Sequence, residues 1–170
     1  LDALKSLGQL DNTWVVYTSD HGEMLGEHRL WAKMNFYRGS VQVPLIIVPP
    51  GGMQPRVDPS LVELTDVTAT LAAIGDAAAP AGCRGQSLLP ALTEPQAGRG
   101  LLHARIGNYA AIRSATHRLT MHLKSGTACE LFDLKNDPAE QANLINDPAL
   151  ASIVSDLQVA LLDHESSDDE

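Results

Sequence analysis

The feature that most constrains the fold is a short apolar, β-branched and aromatic run, Trp14-Val15-Val16-Tyr17-Thr18, which stops abruptly at Ser19-Asp20-His21-Gly22. That composition predicts a strand buried on both faces. Just before it Leu1, Leu4 and Leu7 recur at helical spacing, with Gly8 as a stop. A helix followed closely by a buried strand predicts an α/β unit with a parallel sheet. In open sheets of that kind ligands bind beyond the carboxyl ends of strands, which is where Asp20 and His21 fall.

A second strand is expected over Val43-Pro44-Leu45-Ile46-Ile47-Val48, closed by the turn signal Pro49-Pro50-Gly51-Gly52, with Pro44 at its start or on an edge. Leu61, Leu64, Val67, Thr68, Leu71 and Ile74 predict a helix between Ser60 and Gly75, Gly75 being its C-cap. The Ala/Gly/Pro stretch from Asp76 to Gly85 reads as a loop, and Gln86 to Leu92 as a short turn of helix. Pro95, Gly98 and Gly100 suggest a linker into a second unit. Beyond it, Tyr109–Arg113, Leu119–Leu123 and Glu130–Leu134 predict an antiparallel meander, followed by a helix from about Pro148 to Leu162. The expected organisation is therefore an α/β core over residues 1–98, a small antiparallel subdomain over 99–165 and an acidic tail over 166–170.

Charge and composition exclude several functions. The chain of 170 residues has 12 Lys+Arg against 21 Asp+Glu, a formal charge of −9, and it lacks a basic stretch able to neutralise a run of phosphates. Nucleic acid and anionic membranes are accordingly not expected partners. Five acids, Asp163, Glu165, Asp168, Asp169 and Glu170, crowd the last eight residues, as expected of a solvated end. Cys83 and Cys129 are too few for a disulfide framework and are not spaced as a metal-binding pair. No apolar run approaches the roughly 20 residues that span a bilayer. The chain opens inside a helical pattern without Met, N-cap or signal peptide, so it is expected to be a fragment of a longer protein. Localisation stays open on this reading; the low cysteine content is compatible with the cytoplasm.

Five of the seven aromatic residues, Trp14, Tyr17, Trp31, Phe36 and Tyr37, lie between positions 14 and 37 together with Asp20, His21, Glu23, Glu27, His28, Arg29 and Lys33. Polar and aromatic residues concentrated after a strand suggest a site. An Asp beside a His at a strand end can offer a carboxylate oxygen and an imidazole nitrogen to one divalent ion, although two ligands do not hold a metal by themselves. Taken singly, Asp20 is also what a turn uses, His21 what a hydrogen-bonded loop uses, and Lys33 what a solvated surface carries.

Read in order, Thr18-Ser19-Asp20-His21-Gly22-Glu23, Gly26-Glu27-His28, Trp31-Ala32-Lys33, Phe36-Tyr37 and Gly39-Ser40 to Val43-Pro44-Leu45-Ile46 closely resemble the sulfatase family. The likeness continues through Thr65 to Leu71, Gly85-Gln86-Ser87-Leu88-Leu89-Pro90, Tyr109 to Arg113, Glu130-Leu131-Phe132-Asp133-Leu134 and Asn136-Asp137-Pro138-Ala139-Glu140. The resemblance implies the C-terminal part of an alkaline-phosphatase-like α/β sandwich, followed by a small antiparallel sheet packed with a helix. It implies that Asp20 and His21 ligate a divalent cation, calcium first and manganese second. The His in place of Asn is shared with iduronate-sulfatase-like and phosphonate-monoester-hydrolase-like members. By the same resemblance Lys33 contacts the sulfate and stabilises developing charge. His28 either lines the substrate pocket or is a hydrogen-bonded structural residue.

Two positions depart from the family pattern, Arg38 where Glu is common and Gln42 where Arg is common. A larger departure is that no CxPSR-like or CxAGR-like motif, the source of the formylglycine nucleophile, occurs in the chain. Cys83, followed by Arg84-Gly85-Gln86-Ser87, is not a substitute. The nucleophile and further metal-binding aspartates are thus expected in a missing N-terminal part of the same protein. The resemblance implies hydrolysis of a small-molecule sulfate ester by that parent. The alternatives are a phosphonate monoester or phosphodiester hydrolase of the same superfamily, or, for the isolated fragment, a noncatalytic interaction module. The substrate alcohol and the oligomeric state are left open.

Overall fold

The computed structural model describes residues 1–94 and 98–166, so Pro95 in the expected linker and most of the acidic tail lie outside the described residues. The chain divides into two compact units, residues 1–33 with 38–58, and residues 34–37 with 59–170.

The first unit opens with the short helix α1 (Asp2–Ser6), and Gly8, at φ 65°, ends the helical stretch as expected. Strands β1 (Val15–Thr18) and β2 (Leu45–Val48) form a two-stranded sheet, and Pro44 stands immediately before the second. Their pairing is antiparallel, Val15 opposite Val48 and Thr18 opposite Leu45, which corrects the parallel arrangement expected for these strands. A parallel pair needs a crossover of a dozen or more residues that carries the chain back, usually a helix. Here the intervening chain holds only a 3-10 turn (Glu27–Arg29) and the four-residue helix α2 (Arg38–Val41). It doubles back on itself through the hydrogen bond from Gly22 N–H to Ser40 O, 2.8 Å. Burial on both faces is corrected as well. Tyr17 is 61% exposed, since a two-stranded ribbon leaves much of each face to solvent.

In the second unit, helix α3 (Leu64–Ile74) starts four residues later than Ser60 because its first turn is built around a carboxylate. Glu63 N–H donates to Asp66 Oδ2 at 2.8 Å, closing the N-terminal turn. Asp66, 1% exposed, also accepts from Gln86 N–H at 2.7 Å and from Arg99 through Nε at 3.1 Å and Nη2 at 2.5 Å. One carboxylate thus ties together the helix start, the Gly85-Gln86 loop and Arg99, which belongs to the stretch expected to be a linker. Gly85 is required there: a Cβ would run into the Thr65 carbonyl and the Asp66 nitrogen. Thr70 Oγ1 accepts from Leu88 N–H at 2.8 Å, leading into helix α4 (Leu89–Thr93).

The expected meander is a four-stranded antiparallel sheet in the order β3 (Leu102–Ile106), β4 (Tyr109–Arg113), β5 (His117–His122), β6 (Thr127–Asp133). The edge strand β3 was not expected; its alternation is interrupted by exposed Ala104 and Arg105. Ala110, Ile112, Leu119, Met121 and Leu131 share one face. Leu157 and Leu161 of the last helix, α5 (Ala151–Ser166), pack on that face to form the core. The opposite face carries Arg118, Thr120, Glu130 and Phe132. Arg118, 3% exposed, donates to Glu140 Oε1 at 2.6 Å, to Thr120 Oγ1 at 2.6 Å and to Glu130 Oε2 at 3.2 Å. Its guanidinium lies over the rings of Tyr37 and Phe132 at 5.2 and 4.8 Å, and Tyr37 Oη donates to Glu130 Oε1 at 3.0 Å. Among the described residues no helix is long and apolar enough to cross a membrane.

Candidate active site

The site grows out of the end of β1. The chain leaves the strand at Thr18, and Gly22 lies so close to the Gly39 carbonyl that a Cβ there would collide with it. This close approach holds Ser19-Asp20-His21 as a corner at the carboxyl end of the strand, with Asp20 exposed and Ser19 and His21 half-buried. Neither side chain enters the hydrophobic core: Asp20 is 83% exposed at its side chain and His21 39%.

Two hydrogen bonds orient the corner. His21 Nδ1 lies 2.8 Å from Gly22 O, which assigns the ring proton to Nδ1 and leaves Nε2 as the acceptor. Asp20 Oδ1 accepts from the His21 backbone N–H at 3.0 Å and from Ser19 Oγ at 3.4 Å. Its other oxygen, Oδ2, stands 3.5 Å from His21 Nε2. Desolvation, which raises the Asp20 pKa, is outweighed by the hydrogen bonds from the His21 backbone and Ser19, to which His21 adds its attraction when its ring is protonated. The carboxyl is therefore held below its ordinary value, as a carboxylate.

Lys33 arrives from the far side of the loop, and its Nζ meets His21 Nε2. Three residues expected from the sequence to share a site, Asp20, His21 and Lys33, are thus gathered at one corner of the first unit. His28, the fourth candidate, sits half-buried in the Glu27–Arg29 turn with left-handed backbone, φ 52°. Cys83 is half-buried with Sγ 3.8 Å from Thr65 O, in the second unit.

A sulfatase family model matches residues 1–77. The chain is 36% identical over 167 residues to the uncharacterized sulfatase YidJ of Escherichia coli (strain K12), covering 92% of this chain and 33% of that protein. It is 34% identical over 182 residues to the choline-sulfatase of Rhizobium meliloti (strain 1021), covering 99% and 35%. The chain belongs to the sulfatase family. The structure of this sulfatase-family chain resembles that of a phosphonate monoester hydrolase from Silicibacter pomeroyi, with a TM-score of 0.88 and 28% identity, covering 98% of this chain and 37% of that one. The chain spans about a third of the length of the curated relatives it matches. Its α/β architecture with a small antiparallel sheet and terminal helix agrees with the fold expected from the resemblance.

The donor set suits a divalent cation. The Asp20 carboxylate oxygen and His21 Nε2 lie 3.5 Å apart and can both reach one ion once the Lys33 ammonium, which meets Nε2 here, moves off it, and the Nδ1–H bond to a backbone carbonyl is the usual way a ligating histidine is oriented. Among the described residues no group of three or more His, Cys, Asp or Glu could hold a metal, and Asp20 and His21 are a pair of candidate donors rather than a complete shell. Glu23, named in the polar window of the sequence but given no role there, accepts through its carboxylate from the backbone of the Lys33 loop. Its position two residues after His21 was the available signal.

Proposed function

We propose that the protein containing this chain hydrolyses sulfate esters of small molecules, with Asp20 and His21 as ligands of a divalent cation and Lys33 as the group that faces the transferring oxygens. The convergence of a carboxylate, an imidazole lone pair and an ammonium at the end of β1 carries this reading. Calcium fits an oxygen-rich shell of six to eight or so donors, most of them from outside this chain; manganese is the second candidate. The cation, when bound, supplies Lewis-acid stabilisation of anionic oxygens. The nucleophile, a formylglycine in the family resembled, is expected outside these residues.

On this reading each residue has a definite task. Asp20, kept ionised by its neighbours, holds the cation without competing for protons. His21 presents Nε2 because Nδ1–H is committed to Gly22 O. The Lys33 ammonium, which meets His21 Nε2 in the structure, would turn to the transferring oxygens when a cation takes Nε2, and there it would act more strongly in the transition state than in the ground state. His28 is proposed to line the substrate pocket, and residues 1–98 and 99–165 to be the α/β core and the small antiparallel subdomain.

A second reading, a phosphonate monoester or phosphodiester hydrolase, is favoured by the likeness to the phosphonate monoester hydrolase structure. The same cation and ammonium would serve a tetrahedral phosphorus centre. Assaying the intact protein against an aryl sulfate and an aryl phosphonate monoester, with and without a chelator, separates the two. A higher kcat/KM on the sulfate ester, lost on chelation, supports the first reading. Preference for the phosphonate supports the second, and no hydrolysis of either overturns both.

A further inference from the structure

We infer that Glu23 is the positioning residue of Lys33: its carboxylate fixes the backbone from which the ammonium reaches His21. The inference rests on the proposed role of Lys33 and goes beyond it.

The loop that carries Lys33 is an unfavourable piece of backbone. Of the eight residues from Leu25 to Ala32, five have positive φ: Leu25, Gly26, His28, Arg29 and Ala32. Four of these are not glycine, and L-residues rarely adopt that conformation. Such a loop persists only where surrounding bonds over-determine it. Backbone bonds hold its interior, Gly26 N–H to Leu30 O at 2.9 Å, Glu27 N–H to Met24 O at 2.8 Å, Arg29 N–H to Gly26 O at 3.0 Å and Leu30 N–H to Glu27 O at 2.9 Å, and Met24 N–H to Ala32 O at 2.9 Å ties its end. The remaining tie described at Ala32 comes from a side chain. Ala32 N–H donates to Glu23 Oε1 at 2.5 Å, and Leu25 N–H points to the same oxygen at 3.5 Å.

The placement of that bond gives it leverage. Ala32, at φ 62°, directly precedes Lys33, so its orientation sets where the lysine side chain departs. Glu23 in turn is two residues from His21, the group that Lys33 Nζ meets. The contacts close a ring: His21 to Glu23 along the chain, Glu23 to Ala32 by the carboxylate, and Lys33 back to His21. Without the carboxylate, one strained residue beside the lysine loses its acceptor, and the ammonium samples positions away from the corner. Glu23 touches no reacting atom in this scheme and acts only through Lys33.

The test uses Glu23→Ala and Glu23→Gln in the intact protein, with hydrogen exchange of peptides covering Leu30–Lys33 and steady-state kinetics on whichever ester the protein hydrolyses. In Glu23→Ala the Ala32 amide should exchange about tenfold faster or more, as a lost charge-assisted bond implies. Turnover should fall about 10–100-fold, with KM little changed. Glu23→Gln, which keeps an acceptor of the same length, should restore protection and most of kcat. In a Lys33→Ala background Glu23→Ala should cost little more. Unchanged Ala32 exchange in folded Glu23→Ala, or kcat losses that simply multiply in the double variant, would overturn the inference. If Ala32 exchanges faster while Lys33→Ala turns over normally, the anchoring stands and the charge-stabilising reading of Lys33 falls. Should Glu23→Ala not fold, Glu23→Asp keeps the charge but withdraws the acceptor by one methylene; native exchange and native kcat in that variant overturn the inference equally.

Discussion

Replacing Asp66 by Ala should be among the most damaging single changes in the chain, although Asp66 is not part of the candidate site. The carboxylate is 1% exposed and accepts four hydrogen bonds, from Glu63 N–H, Gln86 N–H and two guanidinium nitrogens of Arg99. Removing it leaves two backbone donors without their acceptor and a cation, 17% exposed at its side chain, without its counter-charge. Breaking a buried ion pair from one side typically costs about 3–5 kcal/mol. At roughly 2–4 °C per kcal/mol for 150–250 residues, that is a loss of about 6–20 °C in Tm. The pair also makes a pH prediction. Desolvation raises the Asp66 pKa but is outweighed by the Arg99 hydrogen bonds and the Gln86 and Glu63 N–H groups, so the folded value lies below the ordinary 3.8. A depressed folded pKa contributes stability that is fully present above 3.8 and lost as pH falls towards the folded value. Chemical denaturation of the intact protein and of Asp66→Ala, at neutral pH and through the acid range, measures both effects. A loss under about 1 kcal/mol, or an unchanged acid limb in the variant, would refute the reasoning.

Lys33→Ala should reduce kcat about 10²–10³-fold with a nearly unchanged melt, and Lys33→Arg should recover part of it, because a planar guanidinium places its donors differently; normal turnover in Lys33→Ala would return the residue to the surface. Gly22→Ala should destabilise the end of β1, since its Cβ meets the Gly39 carbonyl, and a wild-type melt with wild-type activity would show that the close approach is not needed. Glu140→Ala, which leaves the buried Arg118 without one of its carboxylates, should cost about 3–5 kcal/mol in a denaturant titration, and a much smaller loss would mean that Glu130 and the flanking rings suffice.

The elements that could be read early are those whose side chains report a local environment. The expected strand Tyr109–Arg113 matches β4 residue for residue, and the helical repeat of Leu61 to Ile74 locates α3 apart from its first turn. The edge strand β3 escaped because its exposed Ala104 and Arg105 blur the period of two. The late start of α3 escaped because it depends on Asp66, whose partners Gln86 and Arg99 are 20 and 33 residues away. Arg118 would be taken for a surface charge on any local reading. It is buried because Glu130, Glu140 and two aromatic rings from separate segments meet around it.

For the site, the sequence determined the chemistry and the tertiary structure determined the geometry. Asp20, His21 and Lys33 are set by residue type and order, because a carboxylate, an imidazole and an ammonium keep their donor and acceptor character in any fold. Their meeting is a long-range event. The 13-residue separation of Asp20 and Lys33 is closed by backbone bonds, by a Gly22 that tolerates the Gly39 carbonyl, and by one Glu23 carboxylate holding a left-handed Ala32. The direction of β2 against β1 belongs to the same class: apolar runs specify strands, but the path of the chain between them decides whether they pair parallel or antiparallel.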